Sequence, residues 1–133
     1  IGGGTNHRFS LNDRVLIKDN HVELAGGIES ALRNIRSLKS GHSVEIEVQN
    51  LDQVDVALAA GVDILLLDNM SIDQIKEAVL RSRGRAEVEI SGGVTLERMA
   101  ALADTGAEYV SVGALTHSAP AVDMGVEMET LRS

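Results

Sequence analysis

Short apolar runs alternate with amphipathic segments along most of this chain, and the alternation predicts its architecture. "RVLIK" (14–18) reads as a strand. In "GIESALRNIRSLKSG" Ile28, Leu32, Ile35 and Leu38 recur at helical spacing, with Gly41 as terminator. "SVEIEV" is a second strand, Val54 and Leu58 mark a short helix that Gly61 caps, and "VDILLLD" is a buried strand. "SIDQIKEAVLRSRG" has Ser71 as N-cap and Ile72, Ile75 and Val79 as its apolar stripe, with Arg81 and Arg83 at the negative end of the helix dipole. "AEVEIS" is the fourth strand, "TLERMAALADTG" a helix capped by Thr95, "YVSVG" the fifth strand, and "METLRS" one more short amphipathic helix. Strands and helices alternating through short loops predict a parallel α/β sheet covered by helices.

Strand parity sharpens this picture. Glu45 and Glu47 share one face of "VEIEV" while Val44, Ile46 and Val48 share the other, and Glu87, Glu89 and Ser91 repeat the pattern in "EVEIS". In a parallel sheet, one helix-covered face and one ionic inward face belong to a (β/α) barrel. A complete barrel has eight strands and roughly 250 residues, so about five strands in 133 residues predict a partial barrel, with an open doubly wound sheet as the alternative. Inward carboxylates need partners, because an unpaired buried charge is strongly unfavourable. Lys18, at the end of its strand, is the expected one.

Length fits a single domain, and a net charge of −8 argues against the broad basic surface that nucleic acid or an anionic membrane requires. Residues 1–21 depart from that balance: Arg8, Arg14 and Lys18 against Asp13 and Asp19 give +1, leaving −9 for the remainder. The absence of cysteine excludes a disulfide framework and thiolate metal sites and fits a cytoplasmic location. No apolar run approaches the roughly 18 residues of a membrane span, and no signal-peptide pattern is visible.

Parallel sheets of this kind bind ligands at the carboxyl ends of their strands. Lys18, Glu47, Asp68, Ser91 and Gly113 are the polar or small residues there, one from each strand in turn. "SGGV" (91–94) and "VGAL" (112–115) follow the last two strands, where barrels often hold a phosphate on backbone N–H groups and a helix N-terminus. Glu47 and Asp68, on adjacent strands, have the oxygen donors to share a Mg²⁺ ion, to hold sugar hydroxyls, or to pair with Lys18 or Arg8. His42 reads as a loop residue. There is no HExxH, nucleophile elbow or GxGxxG to support a zinc protease, an α/β-hydrolase or a dinucleotide fold.

Taken in order, "GGGTNHRFSLNDRVLIKDNH", "VEIEVQNLDQVDVALAAGVDILLLDNM", "EISGGV" and "YVSVGALTHS" resemble the carboxyl-terminal part of the quinolinate phosphoribosyltransferase family, also called carboxylating nicotinate-nucleotide pyrophosphorylases. The resemblance runs nearly the whole length. It implies a (β/α) barrel catalytic domain, of which residues 1–133 are the carboxyl-terminal part. An amino-terminal α/β domain and the first barrel strand, with a basic Arg-Lys-Thr segment, would lie upstream of Ile1. It also implies a homodimer or higher homo-oligomer, Mg²⁺ dependence, and the conversion of quinolinate and phosphoribosyl pyrophosphate to nicotinate mononucleotide, pyrophosphate and CO₂ in NAD biosynthesis. By the same resemblance His7 and Arg8 bind quinolinate, Lys18 lies between quinolinate and pyrophosphate, and Glu47 and Asp68 contact the ribose hydroxyls or the metal. Ser91, Gly92, Gly93, Gly113 and Ala114 cradle the 5′-phosphate and His117 reaches the pyrophosphate. The opening basic island is then the wall that receives a dicarboxylate and a pyrophosphate.

Three alternatives stay open at this point. One is a related barrel phosphoribosyltransferase acting on another aromatic acid, and another is an inactive structural or ligand-binding piece of such an enzyme. The third is a different phosphate-binding barrel enzyme, with Lys18 as a Schiff-base lysine. On the main reading the 133 residues alone are expected not to turn over quinolinate, since the basic groups of the upstream segment and of a partner subunit would be missing.

Overall fold

The strand that follows the basic opening, β1 (Val15–Ile17), begins a five-stranded sheet whose remaining strands are β2 (Val44–Val48), β3 (Ile64–Asp68), β4 (Glu87–Ser91) and β5 (Tyr109–Val110). The computed structural model describes residues 2–38 and 41–128. Every neighbouring pair is parallel and the spatial order is β1-β2-β3-β4-β5. A doubly wound sheet reverses its strand order at a switch point. This one does not, which favours the partial barrel over the open-sheet alternative.

The helices are α1 (Asp19–Ala25), α2 (Ile28–Ser37), α3 (Leu51–Ala59), α4 (Ile72–Ser82), α5 (Met99–Ala103) and α6 (Ala114–His117). The apolar face of the sheet (Ile17, Val44, Ile46, Val48, Leu65, Leu67, Val88 and Ile90) packs with Leu32, Val54, Leu58, Ile75, Val79 and Leu102 of the helices in one buried core. Ser71 caps α4 as expected: its hydroxyl accepts from Gln74 N–H, and Gln74 Oε1 accepts in return from Ser71 N–H. Asn50 caps α3 by accepting from Gln53 N–H at 3.0 Å.

One device sets the strand starts twice. After α3, Gly61 takes a left-handed conformation (φ 74°) and Asp63 then accepts from Val44 N–H at 2.8 Å. After α5, Gly106 (φ 84°) precedes Glu108, which accepts from Val88 N–H at 2.8 Å. In each case glycine reverses the chain at low steric cost, and the acid ties the new strand to the start of its neighbour.

Several elements differ from expectation. The segment "DNHVELA" forms α1, unmarked by periodicity because none of its residues is fully buried. The helix expected from Thr95 begins only at Met99; residues 95–98 form a turn in which Arg98 N–H bonds Thr95 C=O, and α5 has no side-chain cap. The fifth strand is two residues long, although Ser111 N–H still donates to Ile90 C=O at 2.8 Å. The helix expected over "METLRS" lies, apart from Met128, outside the described residues. No helix among the described residues is long and apolar enough to cross a membrane.

Candidate functional site

Sheet register sorts the inward face into layers. Glu45 is level with Leu16 and Ile64; one step towards the carboxyl ends, Glu47 is level with Leu66 and Glu89; Asp68 and Ser91 form the rim. The parity read from the sequence is therefore the parity of the molecule.

Glu45 and Glu89 are 0% and 3% exposed, and their partners are not the expected one. Arg14 Nη1 lies 3.1 Å from Glu45 Oε2 and 3.6 Å from Glu89 Oε2, and His7 Nε2 lies 3.2 Å from Glu45 Oε1 and 3.5 Å from Glu89 Oε1. Arg14 Nη2 donates to His7 C=O at 2.7 Å, so the opening segment folds across the inward face as one unit. Ser111 Oγ closes the group by donating to Glu89 Oε1. Burial holds the Glu45 carboxyl above the usual range, the His7 bond works against that, and the Glu89 charge adds to it. His7, Glu45 and Glu89 are spaced to hold a cation, but Arg14 Nη1 already pairs with both acids.

Lys18 makes no ion pair among the described residues, which corrects its expected role as partner of the interior carboxylates. Its backbone opens α1, with Lys18 N–H donating to His21 Nδ1 at 3.0 Å, and its side chain is exposed. The reason is reach: Arg14 and His7 fold over the deeper layer, whereas Lys18 stands at the rim. There it acts on Glu47 at longer range, favouring the charged form.

Glu47 is half-buried and has neither an ion-pair nor a hydrogen-bond partner among the described residues. Burial pushes its carboxyl upward, and the charges of Asp68 and Asp19 push the same way. Among the described residues Asp68 accepts one hydrogen bond, from Asn69 Nδ2 at 2.9 Å. Two neighbouring carboxylates with oxygen donors only, and no cation paired to them among the described residues, fit a Mg²⁺ ion by the chemistry of the donor set.

Beside them lie the two small-residue loops. Gly92 and Gly93 both take left-handed conformations (φ 79° and 57°). The N–H groups of Gly92, Gly93, Gly113 and Ala114 donate to no protein acceptor among the described residues. His117 covers the second loop, its Nε2 3.1 Å from where a methyl group on Gly113 would stand. At four residues, α6 is too short to contribute much dipole, so backbone N–H groups are the available anion donors. Arg8 is half-buried and makes no ion pair among the described residues.

The structure sets Lys18, Glu47, Asp68, Ser91, Gly92, Gly93, Gly113, Ala114 and His117 at or next to the carboxyl ends of the strands, as the strand pattern implied, and adds Glu45, Glu89, Arg14 and Asn69 to the groups on and around that face. Parity already placed the two glutamates inside; nothing local reveals that Arg14 reaches them. A cleft at the opposite, amino-terminal ends of the strands, lined by Arg36, His42, Ser43 and Asp63, has no comparable set of unpaired acids.

Residues 1–127 match the family described as quinolinate phosphoribosyl transferase, C-terminal domain. The carboxylating nicotinate-nucleotide pyrophosphorylase of Mycobacterium leprae is 44% identical over 131 residues, covering 96% of this chain and 46% of that protein. A decarboxylating quinolinate phosphoribosyltransferase of Nicotiana tabacum is 38% identical over 149 residues, covering 98% of this chain and 42% of its own length. The solved structure of the nicotinate-nucleotide pyrophosphorylase from Francisella tularensis superposes with a TM-score of 0.82 at 46% identity, over 86% of this chain and 41% of that one. The chain spans about half the length of the curated relatives it matches.

Proposed function

Since the chain belongs to the quinolinate phosphoribosyl transferase family in its C-terminal domain, we propose that it is the carboxyl-terminal part of a (β/α) barrel catalytic domain. That domain joins quinolinate to phosphoribosyl pyrophosphate and releases pyrophosphate and CO₂. The observation that carries this reading is the acid pair Glu47 and Asp68, without an ion-pair partner among the described residues, beside two loops in which the N–H groups of Gly92, Gly93, Gly113 and Ala114 donate to no acceptor among those residues. This is a polar rim suited to a sugar that carries phosphate at one end and pyrophosphate at the other.

In this reading the N–H groups of Gly92, Gly93, Gly113 and Ala114, with Ser91, bind the 5′-phosphate. Glu47 and Asp68 orient the ribose hydroxyls and hold Mg²⁺; the ion would neutralise pyrophosphate as it leaves. Lys18 lies between the two substrates, and His117 reaches the pyrophosphate from its place over Gly113. His7 and Arg8 receive the quinolinate carboxylates through charge-assisted hydrogen bonds of about 1.5–3 kcal/mol each. Attack at the anomeric carbon then needs little covalent help: positioning and fixed charge supply most of the rate. A cation beside the ring also stabilises the electrons left when CO₂ departs.

The same proposal includes a homodimer or higher homo-oligomer, a cytoplasmic location, and a need for the remaining length of the relatives. Losing two or three charge-assisted contacts would lower transition-state binding by on the order of 10² to 10⁶. Adding the remaining part, in cis or as a separate chain, is expected to create CO₂ release from quinolinate that depends on phosphoribosyl pyrophosphate and Mg²⁺. Comparable turnover by the 133 residues alone would overturn the requirement for that part. No turnover by the completed protein, or preference for another aromatic acid, would overturn the substrate assignment.

A further inference from the structure

Among the described residues, Asn69 is the non-glycine residue with positive φ (55°). Side chains with a Cβ enter this left-handed region at a steric penalty, and asparagine is one of the few that do so routinely. Such a residue directly after a strand-end carboxylate calls for a reason. Three contacts supply one.

Asn69 N–H donates to Ser91 C=O at 3.0 Å, the ladder bond that completes the last β3–β4 pair, Asp68 and Ser91. Its Nδ2 donates to Asp68 Oδ2 at 2.9 Å, the one hydrogen bond that the Asp68 carboxylate accepts among the described residues. Its carboxamide also lies over Gly92: a methyl group added there would stand 2.8 Å from Nδ2 and nearer still to Oδ1. The left-handed turn brings these contacts about together, because it folds the carboxamide back over the strand ends instead of letting the chain run outward. On the far side, Arg98 Nη1 donates to Gly93 C=O at 2.7 Å, so the glycine pair is braced from both flanks.

From this geometry we infer that Asn69 is a positioning residue that sets the Asp68 carboxylate and the Gly92–Gly93 loop at a fixed separation, so that a single phosphorylated sugar can reach both. This deepens the function proposed above and rests on it for the identity of the ligand. Asn69 need not touch the ligand. Its carboxamide fixes one oxygen of Asp68 and leaves the other for a hydroxyl or a cation, and a side chain at position 92 would displace it. Gly92 thus has two requirements, its own φ of 79° and the Asn69 carboxamide above it.

Asn69→Gly isolates the side chain, since glycine keeps the left-handed backbone freely. The test uses the ¹⁵N-labelled chain in the parent and Asn69→Gly forms, with phosphoribosyl pyrophosphate and Mg²⁺ as the probe, alongside Gly92→Ala and the double variant. Asn69→Gly is expected to keep thermal stability close to that of the parent. The amide resonances of Gly92 and Gly93 should shift or broaden without ligand, and affinity for the probe should fall about tenfold, the scale of one lost hydrogen bond. Gly92→Ala should lose less stability in the Asn69→Gly background than in the parent, because the overlapping carboxamide is gone. Unchanged Gly92 and Gly93 resonances together with additive effects of the two substitutions would overturn the inference. So would parent-like probe affinity in Asn69→Gly. If the parent chain itself binds no probe, the proposed ligand is wrong, and the ligand-free resonances and the stability cycle still decide the role of Asn69.

Discussion

Two acidic groups on the same inward face have opposite characters: a deeper layer, formed by Glu45 and, one register step on, the buried Glu89, and a more exposed pair nearer the strand ends. In the deeper layer Glu45 and Glu89 are buried, and Arg14, His7 and Ser111 satisfy them. At the rim Glu47 and Asp68 stand close enough for the Asp68 charge to push the Glu47 carboxyl upward, and no cation pairs with either among the described residues. The difference separates structural from functional charge. A carboxylate matched by a guanidinium inside the protein leaves little for a ligand to gain, whereas a mutually repelling pair beside solvent gains from any cation or hydroxyl that arrives.

Breaking the deeper layer should give the largest effect. Arg14→Ala leaves two buried acids with His7 and Ser111 as their remaining partners, and removal of one member of a buried ionic group costs about 3–5 kcal/mol; chemical denaturation should show a large loss of stability. If Arg14→Ala were as stable as the parent, the deeper layer would not be an integrated ion group. At the rim, Lys18→Ala should leave folding intact, because Lys18 makes no ion pair among the described residues. In the completed protein it should lower turnover by about a hundredfold, roughly 2.7 kcal/mol of transition-state stabilisation. A raised Michaelis constant with unchanged turnover would restrict Lys18 to binding.

Smaller effects sharpen the contrast. Glu47→Gln removes a desolvated, repelled charge, so thermal stability should hold or rise slightly while Mg²⁺-dependent binding of phosphoribosyl pyrophosphate weakens by about tenfold or more, as for a lost charged contact. Glu45→Gln should do the reverse, lowering stability more than it lowers that affinity. The smallest effect is on pH dependence. A carboxyl whose pKa is raised on folding favours the folded state when protonated; that contribution is fully present below the unfolded-state value and is lost as pH rises through the folded-state value. Glu45 and Glu47 both act in this sense. Stability measured against pH in the mildly acidic range should therefore rise less on acidification in Glu47→Gln than in the parent.

Much of this was legible from the chain. Alternation in "VEIEV" and "EVEIS" set the inward face, because a strand's side-chain period is two and one face must meet the helices. Ser71 and Gln74 form a local pair three residues apart, so the start of α4 could be read directly. Arg14 could not: it acts on Glu45, 31 positions away, and a cation at the edge of a strand reads as a boundary residue. Thr95 failed as a cap because the chain makes a turn through Arg98 before α5 begins. Asn69 was hidden for a similar reason, since its left-handed backbone answers to Ser91 and Gly92 on another strand end. What the sequence conceals here is tertiary reach, and the deeper charge layer depends on it most.

The most direct test of the contrast is an amide chemical-shift titration of the ¹⁵N-labelled chain with phosphoribosyl pyrophosphate and Mg²⁺. Saturable shifts are expected, centred on Glu47, Asp68, Asn69, Gly92, Gly93 and Gly113, with Glu45 and the cleft around His42 and Asp63 little affected. Shifts centred on Glu45 or on that opposite cleft, or no saturable shifts at all, would contradict it.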